Sequence, residues 1–409
     1  MENFITSITV KESRNVKDLE IPFSEDKRKH LILTGKNGSG KTSLLIEINK
    51  YLTQIDGGSF VHYESQKRNL MHLEDQISNT NLPETIRQNS NNQYKGILEW
   101  FKNFGGTKIS FSLSEDRIYD KCQKGEFILA YFDSKRHTNL TIPTGVKKID
   151  LKKKYGYKER ASIGFIQYIV NLKADRSFAR DDNEQGVVDK IDSWFSKFED
   201  RLKEIFDVED LMLLFDRKTY NFDIIAPGKQ PFNFNNLSDG YSAIISIVTE
   251  LLLRMEAHEV KSYDLEGIVI IDEIETHLHV DLQKKILPFL TDFFPRIQFI
   301  VTTHSPFVLS SLSNTVICDL ESKTVITDLS AYSYDALLES YFNTDKYSEE
   351  VKALIGEFEM LINTNDLSEP NSARLRYLRD YFAHTPKYLS KELLVKLQQI
   401  ELIELNNKK

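Results

Sequence analysis

Eight consecutive residues, Gly35-Lys36-Asn37-Gly38-Ser39-Gly40-Lys41-Thr42, fill every fixed position of G-x-x-x-x-G-K-[ST]. The chemistry explains the spacing. Glycines let backbone N–H groups curl around a phosphate, and the N-terminus of a following helix adds partial positive charge. Lys41 would reach β- and γ-phosphates, and the Thr42 hydroxyl would bind Mg²⁺. A second constellation, Val269-Ile270-Ile271-Asp272-Glu273, is an apolar run ending in two acids. Asp272 would hold the Mg²⁺ shell through water, and Glu273 would polarise an attacking water. Ligands collect at such strand ends in a parallel sheet, so this one is expected beside the glycine loop.

Two further groups are ambiguous alone. Leu237-Ser238-Asp239-Gly240-Tyr241 opens a segment whose apolar face is Ile244, Ile245, Val248, Leu251 and Leu252, and Ser238 there reads as an ordinary helix N-cap. His304 follows the apolar run into Val301-Thr302-Thr303, where a hydrogen-bonded strand-end histidine is the plain reading. His277 and His279, with Glu275, have the spacing of a metal site. Their place just after Asp272-Glu273, without a third well-placed ligand, favours an interface loop.

These residues need elements to hold them. Phe4–Val10 alternates as a strand does, and Leu31–Thr34 is a short apolar run entering the glycine loop. Leu44, Leu45, Ile48 and Leu52 then share one stripe of a helix. Residues 56–95 are polar and read as a surface excursion, Phe127–Phe132 as a buried strand, and residues 155–206 as helical. Leu211–Phe215 and Tyr220–Ile225 would pair as a hairpin. Helix (Ala243–Met255), strand (Gly267–Ile271), helix (Val280–Phe294) and strand (Ile297–Thr302) follow, which implies a sheet between helices. From Tyr334 the chain reads as helical and charged, with a loop around Asn363–Asn371.

With 409 residues, 40% of them hydrophobic and 28% charged, the chain has enough apolar material for a large core. No apolar stretch approaches the ~18 residues of a membrane span, and the first residues carry no secretion signal. Two cysteines, Cys122 and Cys318, make neither a disulfide framework nor a four-thiolate zinc site. A cytoplasmic protein without membrane contact is the expectation. The net charge of -8 argues against a generally DNA-coating surface. Residues 135–160 nevertheless hold nine Lys/Arg against two Asp/Glu, which reads either as a solvated hairpin or as a contact for nucleic acid or an acidic partner.

The order of glycine loop, L-S-x-G, apolar-Asp-Glu and strand-end histidine resembles the ABC-type ATPases of the Rad50, SMC and RecF kind. Phe234–Tyr241, Glu266–His279 and Gln298–Leu309 narrow this, with a weaker echo in Tyr332–Asp335 and Tyr341-Phe342. They resemble prokaryotic antiviral ATPases of the AbiEii-like group, the Septu and retron-associated PtuA-like proteins above all, with the PARIS ATPase AriA also near. The resemblance implies an α/β P-loop NTPase of ABC-ATPase type. It would have a mixed sheet sandwiched by helices, a helical insertion and a helical C-terminal region. The ATPase domain would span 1–330, with its core in 1–55, 100–145 and 230–330, the polar excursion in 56–99 and the mainly helical insertion in 150–229. Residues 331–409 would follow as a helical region. ATP and Mg²⁺ are implied as ligands, and a homodimer or higher homo-oligomer as the working form. Ser238 and Gly240 would contact the γ-phosphate bound by the other protomer, His304 would sense it, and Glu275–His279 would cross the interface.

The departures are informative too. No heptads fill the span from Thr42 to Leu237, so the long coiled coil of Rad50 and SMC is missing. The Mg²⁺-contacting glutamine of such ATPases has no evident counterpart. Ala130–Arg136 stands in its place, with Arg136 as a phosphate or interface residue. Beyond His304 there is no acidic nuclease cluster. The expected function is therefore an ATP-driven dimeric switch of an antiphage defence system, controlling a separate effector, a nuclease by preference. A RecF- or Rad50-like repair ATPase closing on DNA is the alternative.

Overall fold

A computed structural model of the chain describes residues 2–156, 159–256, 264–332, 337, 349–362, 364 and 368–384. Its strands are β1 (Ile5–Ser13), β2 (Val16–Pro22), β3 (His30–Thr34), β4 (Thr107–Phe111), β5 (Phe127–Phe132) and β6 (Met212–Asp216). They continue as β7 (Asn221–Ile225), β8 (Phe232–Asn233), β9 (Glu266–Ile271), β10 (Ile297–Thr302), β11 (Thr315–Asp319) and β12 (Thr324–Thr327). The helices are α1 (Lys41–Asp56), α2 (Tyr63–Ser78), α3 (Glu84–Lys102), α4 (Glu115–Lys124), α5 (Phe165–Asp181), α6 (Gln185–Phe206), α7 (Asp239–Glu256), α8 (Val280–Phe293) and the single turn α9 (Pro306–Leu309).

β3, β9 and β10 are buried at every position, which is why their centres, Leu31–Leu33, Ile268–Ile271 and Phe299–Val301, read as apolar runs rather than as alternations. They lie in a six-stranded sheet of order β12-β11-β3-β10-β9-β5, parallel except for the antiparallel edge β12. One face carries Leu31, Leu33, Ile268, Ile270 and Ile300, which pack with the α1 stripe Leu44, Leu45, Ile48 and Leu52 and with Ile5, Ile8 and Val10 of β1. Ile32, Val269, Ile271 and Val301 alternate with them and are equally unexposed, so the second face is covered too. Helix α7 is buried from Gly240 to Met255 except at Tyr241. β1 also pairs with β2 and β4 in a separate antiparallel sheet.

The end of β9 lies beside the glycine loop as expected, with Thr42 bonded to Asp272. β10 nevertheless runs between β9 and β3, pairing Thr302 with Leu33 on one side and Val301 with Ile271 on the other. Other expectations need correction. The polar excursion is two helices, α2 and α3, joined by Ser90 Oγ donating to Gln76 Oε1 at 2.8 Å. An aromatic cluster of Tyr51, Phe60, Tyr63, Phe101 and Phe104 anchors them to α1. Residues 135–160 form no hairpin, since among the described residues they contain neither strand nor helix. Side chains hold them instead: Ser242 Oγ accepts from Thr138 N at 2.7 Å, and Asn235 Oδ1 from Leu140 N at 3.0 Å. The insertion is mainly helical as expected, through α5 and α6, and ends in a small sheet, β6-β7-β8. Its first two strands pair as expected, with Phe215 opposite Phe222.

Residues Ser333–Lys409 form a second unit. Its helices Glu349–Ile362 and Glu369–His384 pack through Ile355, Phe358, Ile362, Leu378 and Phe382. Glu369–Asn371, expected within a loop at Asn363–Asn371, already belong to the second of these helices. The echo at Ser333–Asp335 and Tyr341-Phe342 lies outside the described residues. No described helix is long and apolar enough to cross a membrane.

Candidate functional site

The glycine loop spans the gap between β3 and α1, and three glycines there take backbone angles that other residues avoid. Gly35, Gly38 and Gly40 have φ of 132°, 85° and 105°. Gly35 has a second constraint, because a Cβ there would sit 2.8 Å from Ser39 Oγ. Lys41 folds across the loop and donates to the carbonyls of Gly35 at 2.8 Å and Lys36 at 3.0 Å. Its ammonium thus occupies the ring that phosphate oxygens would enter. Burial lowers the Lys41 pKa, while Glu273, Glu275, Asp272 and Asp319 oppose that shift. Ser39 Oγ is buried with no hydrogen-bond partner, an acceptor-donor left over for a ligand. Lys36, Asn37 and Gly38 are exposed at the rim, where Lys36 pairs with Glu321 at 2.7 Å and Asn15 Nδ2 donates to Gly38 O at 3.3 Å.

Opposite the loop, Thr42 Oγ1 donates to Asp272 Oδ2 at 3.0 Å and Oδ1 at 3.2 Å. The donor set is hydroxyl and carboxylate oxygen only, which suits Mg²⁺, an ion that keeps several waters and borrows phosphate oxygens. β10, between β3 and β9, adds a second hydroxyl to the paired acids. Thr302, fully buried, donates from Oγ1 to Asp272 Oδ1 at 2.6 Å, and the same oxygen accepts from Glu273 N at 2.6 Å. Sequence reasoning read Thr302 only as strand. A hydroxyl at the strand end facing the paired acids was the available signal.

Glu273 is half-buried and sits in a positive-φ turn, φ 46°. Thr276 Oγ1 donates to its Oε2 at 3.2 Å. His304 comes off β10 two residues beyond Thr302, and its N–H donates to Glu275 Oε1 at 2.5 Å. Burial first, then the Lys41 charge, pushes the His304 pKa down against Glu275, Glu273 and Asp272. Lys41, Asp272, Glu273 and His304 therefore share one electrostatic neighbourhood, and His304 is favoured as neutral imidazole. Arg136 does not reach this space as a phosphate ligand. It is 1% exposed and spends its guanidinium on backbone carbonyls.

Ser238 and Gly240 lie elsewhere. Among the described residues no hydrogen bond joins 237–241 to the glycine loop of the same chain. Ser238 is exposed, and its carbonyl accepts the first helical bond, from Ser242 N at 2.9 Å. Gly240 packs against the loop after β9 so closely that a Cβ would approach His277 O to 2.7 Å. His277 and His279 face different neighbours, the His137 ring at 6.1 Å and Asp281 at 3.5 Å. Among the described residues no three His, Cys, Asp or Glu gather to hold a metal.

Residues 31–310 match the family described as "AAA domain, putative AbiEii toxin, Type IV TA system". The chain is 31% identical over 154 residues to "Septu protein PtuA" of Bacillus mycoides (strain KBAB4), which covers 36% of this chain but only 22% of that protein. It is 24% identical over 422 residues to "Retron Vc95 probable ATPase" of Vibrio cholerae, covering 84% of this chain and 80% of that one. A solved SMC head domain from Thermotoga maritima superposes with a TM-score of 0.36 at 14% identity, over 77% of this chain and 94% of that one. At that score the fold assignment rests on the sheet order and motif set instead. With residues 31–310 matched, the chain belongs to the AbiEii-like AAA-domain family, and its fold is α/β with a mixed sheet between helices.

Proposed function

We propose that this chain is an ATP-binding and ATP-hydrolysing dimeric switch of an antiphage defence system, and that its ATP-dependent head closure controls a separate effector. The observation that carries the ATPase reading is the convergence of Lys41, Thr42, Asp272, Glu273 and His304 at the C-terminal ends of β3, β9 and β10. Lys41 would exchange its two loop carbonyls for β- and γ-phosphate oxygens. Thr42 and Asp272 would hold Mg²⁺, which when bound neutralises phosphate charge. Glu273 would take the proton of the attacking water, and neutral His304 would hydrogen-bond the γ-phosphate.

The dimer reading draws support from the placement of Ser238, exposed and, among the described residues, without a hydrogen bond to its own glycine loop. It is thus free to meet nucleotide held by a second protomer. The defence context comes from the relatives named for Septu and retron systems. The effector, a nuclease by preference, belongs to the same proposal. The RecF-like alternative finds its footing in exposed Lys147 and Lys148 of the basic stretch, and salt-dependent DNA binding lost on their replacement would favour it.

Lys41→Ala tests the ATPase reading. Removing the charge-assisted contact, worth about 1.5–3 kcal/mol, should weaken ATP binding roughly 10- to 100-fold. Unchanged affinity in a nucleotide titration would remove the glycine-loop assignment.

A further inference from the structure

Arg136 heads the bulkiest fully buried side chains among the described residues. A guanidinium taken out of water is costly unless its donors are met, and here backbone carbonyls meet Nη1 and Nη2, while Nε is buried with no hydrogen-bond partner among the described residues. Nη1 donates to Asp133 O at 2.8 Å and Asp272 O at 2.6 Å, and Nη2 to Glu273 O at 2.9 Å and Ile274 O at 3.4 Å. Three successive carbonyls of the turn after β9 thus point at one cation. Carbonyl dipoles aimed the same way repel, and Glu273 adds a φ of 46°, a region that side chains with a Cβ avoid. Without a cation at their focus, these groups would relax. Relaxation of Glu273 would swing its carboxylate.

The guanidinium is itself fixed. Two residues on, Thr138 Oγ1 bonds Phe234 O at 2.8 Å and Thr138 N bonds Ser242 Oγ, while Leu140 and Asn235 exchange two hydrogen bonds. On the other side of the turn, Thr302 holds Glu273 N and Glu275 holds His304 N. The turn is therefore clamped from β10 through its N–H and from the segment after β5 through its carbonyls.

We propose that Arg136 is a positioning residue for hydrolysis: it holds the carbonyls of 272–274 in the strained turn that aims the Glu273 carboxylate, and it acts only through that carboxylate. The inference rests on Glu273 being the base. Its consequence is a residue whose loss lowers turnover while sparing nucleotide binding, although it touches no nucleotide.

The experiment compares Arg136→Lys and Arg136→Met, each alone and combined with Glu273→Gln, for ATP affinity, kcat, KM and single-turnover rate. A misplacement on the order of 1 Å costs about 10²-fold. Arg136→Met should lose roughly that much kcat, with KM and ATP affinity within about threefold of wild type. Arg136→Lys, which keeps the charge but not the fork, should fall between. On the Glu273→Gln background neither change should slow the residual rate further. Equal losses on both backgrounds would overturn the proposal, as would unchanged kcat. Failure of both variants to fold would also overturn it, since the guanidinium would then serve the fold and not the carboxylate. Wild-type hydrolysis by Glu273→Gln alone would refute the base assignment itself, and is told apart because that variant keeps Arg136.

Discussion

Thr302→Val isolates the link that sequence reasoning missed. Valine has nearly the shape of threonine, so the fully buried site gains no cavity, and the loss is confined to one hydroxyl. That hydroxyl has two partners at 2.6 Å. Losing the hydrogen bond to the Asp272 carboxylate costs about 1.5–3 kcal/mol, and leaving the Glu273 N–H unpaired costs about 1–3 kcal/mol. The two share one atom and do not simply add, so roughly 3–5 kcal/mol is expected. At on the order of 2 °C per kcal/mol for a large domain, the melting midpoint should fall by roughly 5–10 °C. Function should change more specifically. Groups that orient a metal-binding carboxylate are worth about 10- to 100-fold in metal affinity. The Mg²⁺ concentration for half-maximal phosphate release should therefore rise by about that factor. Thr302→Ser, which restores the hydroxyl, should recover both quantities. A Thr302→Val protein with wild-type melting and Mg²⁺ dependence would refute the reasoning, and so would serine behaving no better than valine.

Ser238→Arg should leave ATP binding to the isolated chain intact while blocking hydrolysis. Mixed with Lys41→Ala protein it should regain partial activity, because one composite site then has neither defect; no recovery in a demonstrated heterodimer counts against shared sites. If Ser238 were only a cap, the variant would lose about 0.5–2 kcal/mol of stability and stay active. His30, buried at the start of β3 and accepting from Phe299 N at 3.1 Å, has its pKa pushed down to about 3 by burial. Below the unfolded value near 6.5 the unfolded chain takes a proton that the folded chain refuses, so this group costs stability as pH falls. Between pH 7 and pH 5 the wild type should lose about 2 kcal/mol more than His30→Gln in denaturant titrations. Equal losses would show that His30 does not titrate this way.

The sequence made the parallel strands legible because burial on both faces makes their centres apolar, as in Val269–Ile271 and Phe299–Val301. It made the glycine loop legible because positive φ at Gly35, Gly38 and Gly40 admits few other residues. Strand order was not legible: nothing local in β10 says that it runs between β3 and β9. β4, α4 and β12 escaped notice because they are short and partly exposed, as the exposed Thr324 and Thr327 show, and β11, though buried, because its apolar run is only three residues long. Arg136 was misjudged for a related reason. In a run dense with lysine an arginine reads as surface charge, and only the fold reveals carbonyls waiting for it. Thr302 looked like a β-former, which it is, and its second task depends on register with Asp272.

The central claim, that Glu273 drives ATP hydrolysis in a dimer closed by ATP, is tested most directly by Glu273→Gln. The substitution keeps size and one hydrogen-bonding oxygen, and leaves Lys41, Thr42 and Asp272 in place. Phosphate release should fall by about 10²–10⁴-fold, while ATP binding tightens because one negative charge near the γ-phosphate has gone. Light scattering on a size-exclusion column at matched ATP should show the variant as a closed dimer where the wild type turns over. Hydrolysis at the wild-type rate would contradict the assignment of the base, and loss of hydrolysis without ATP-dependent dimerisation would contradict the switch.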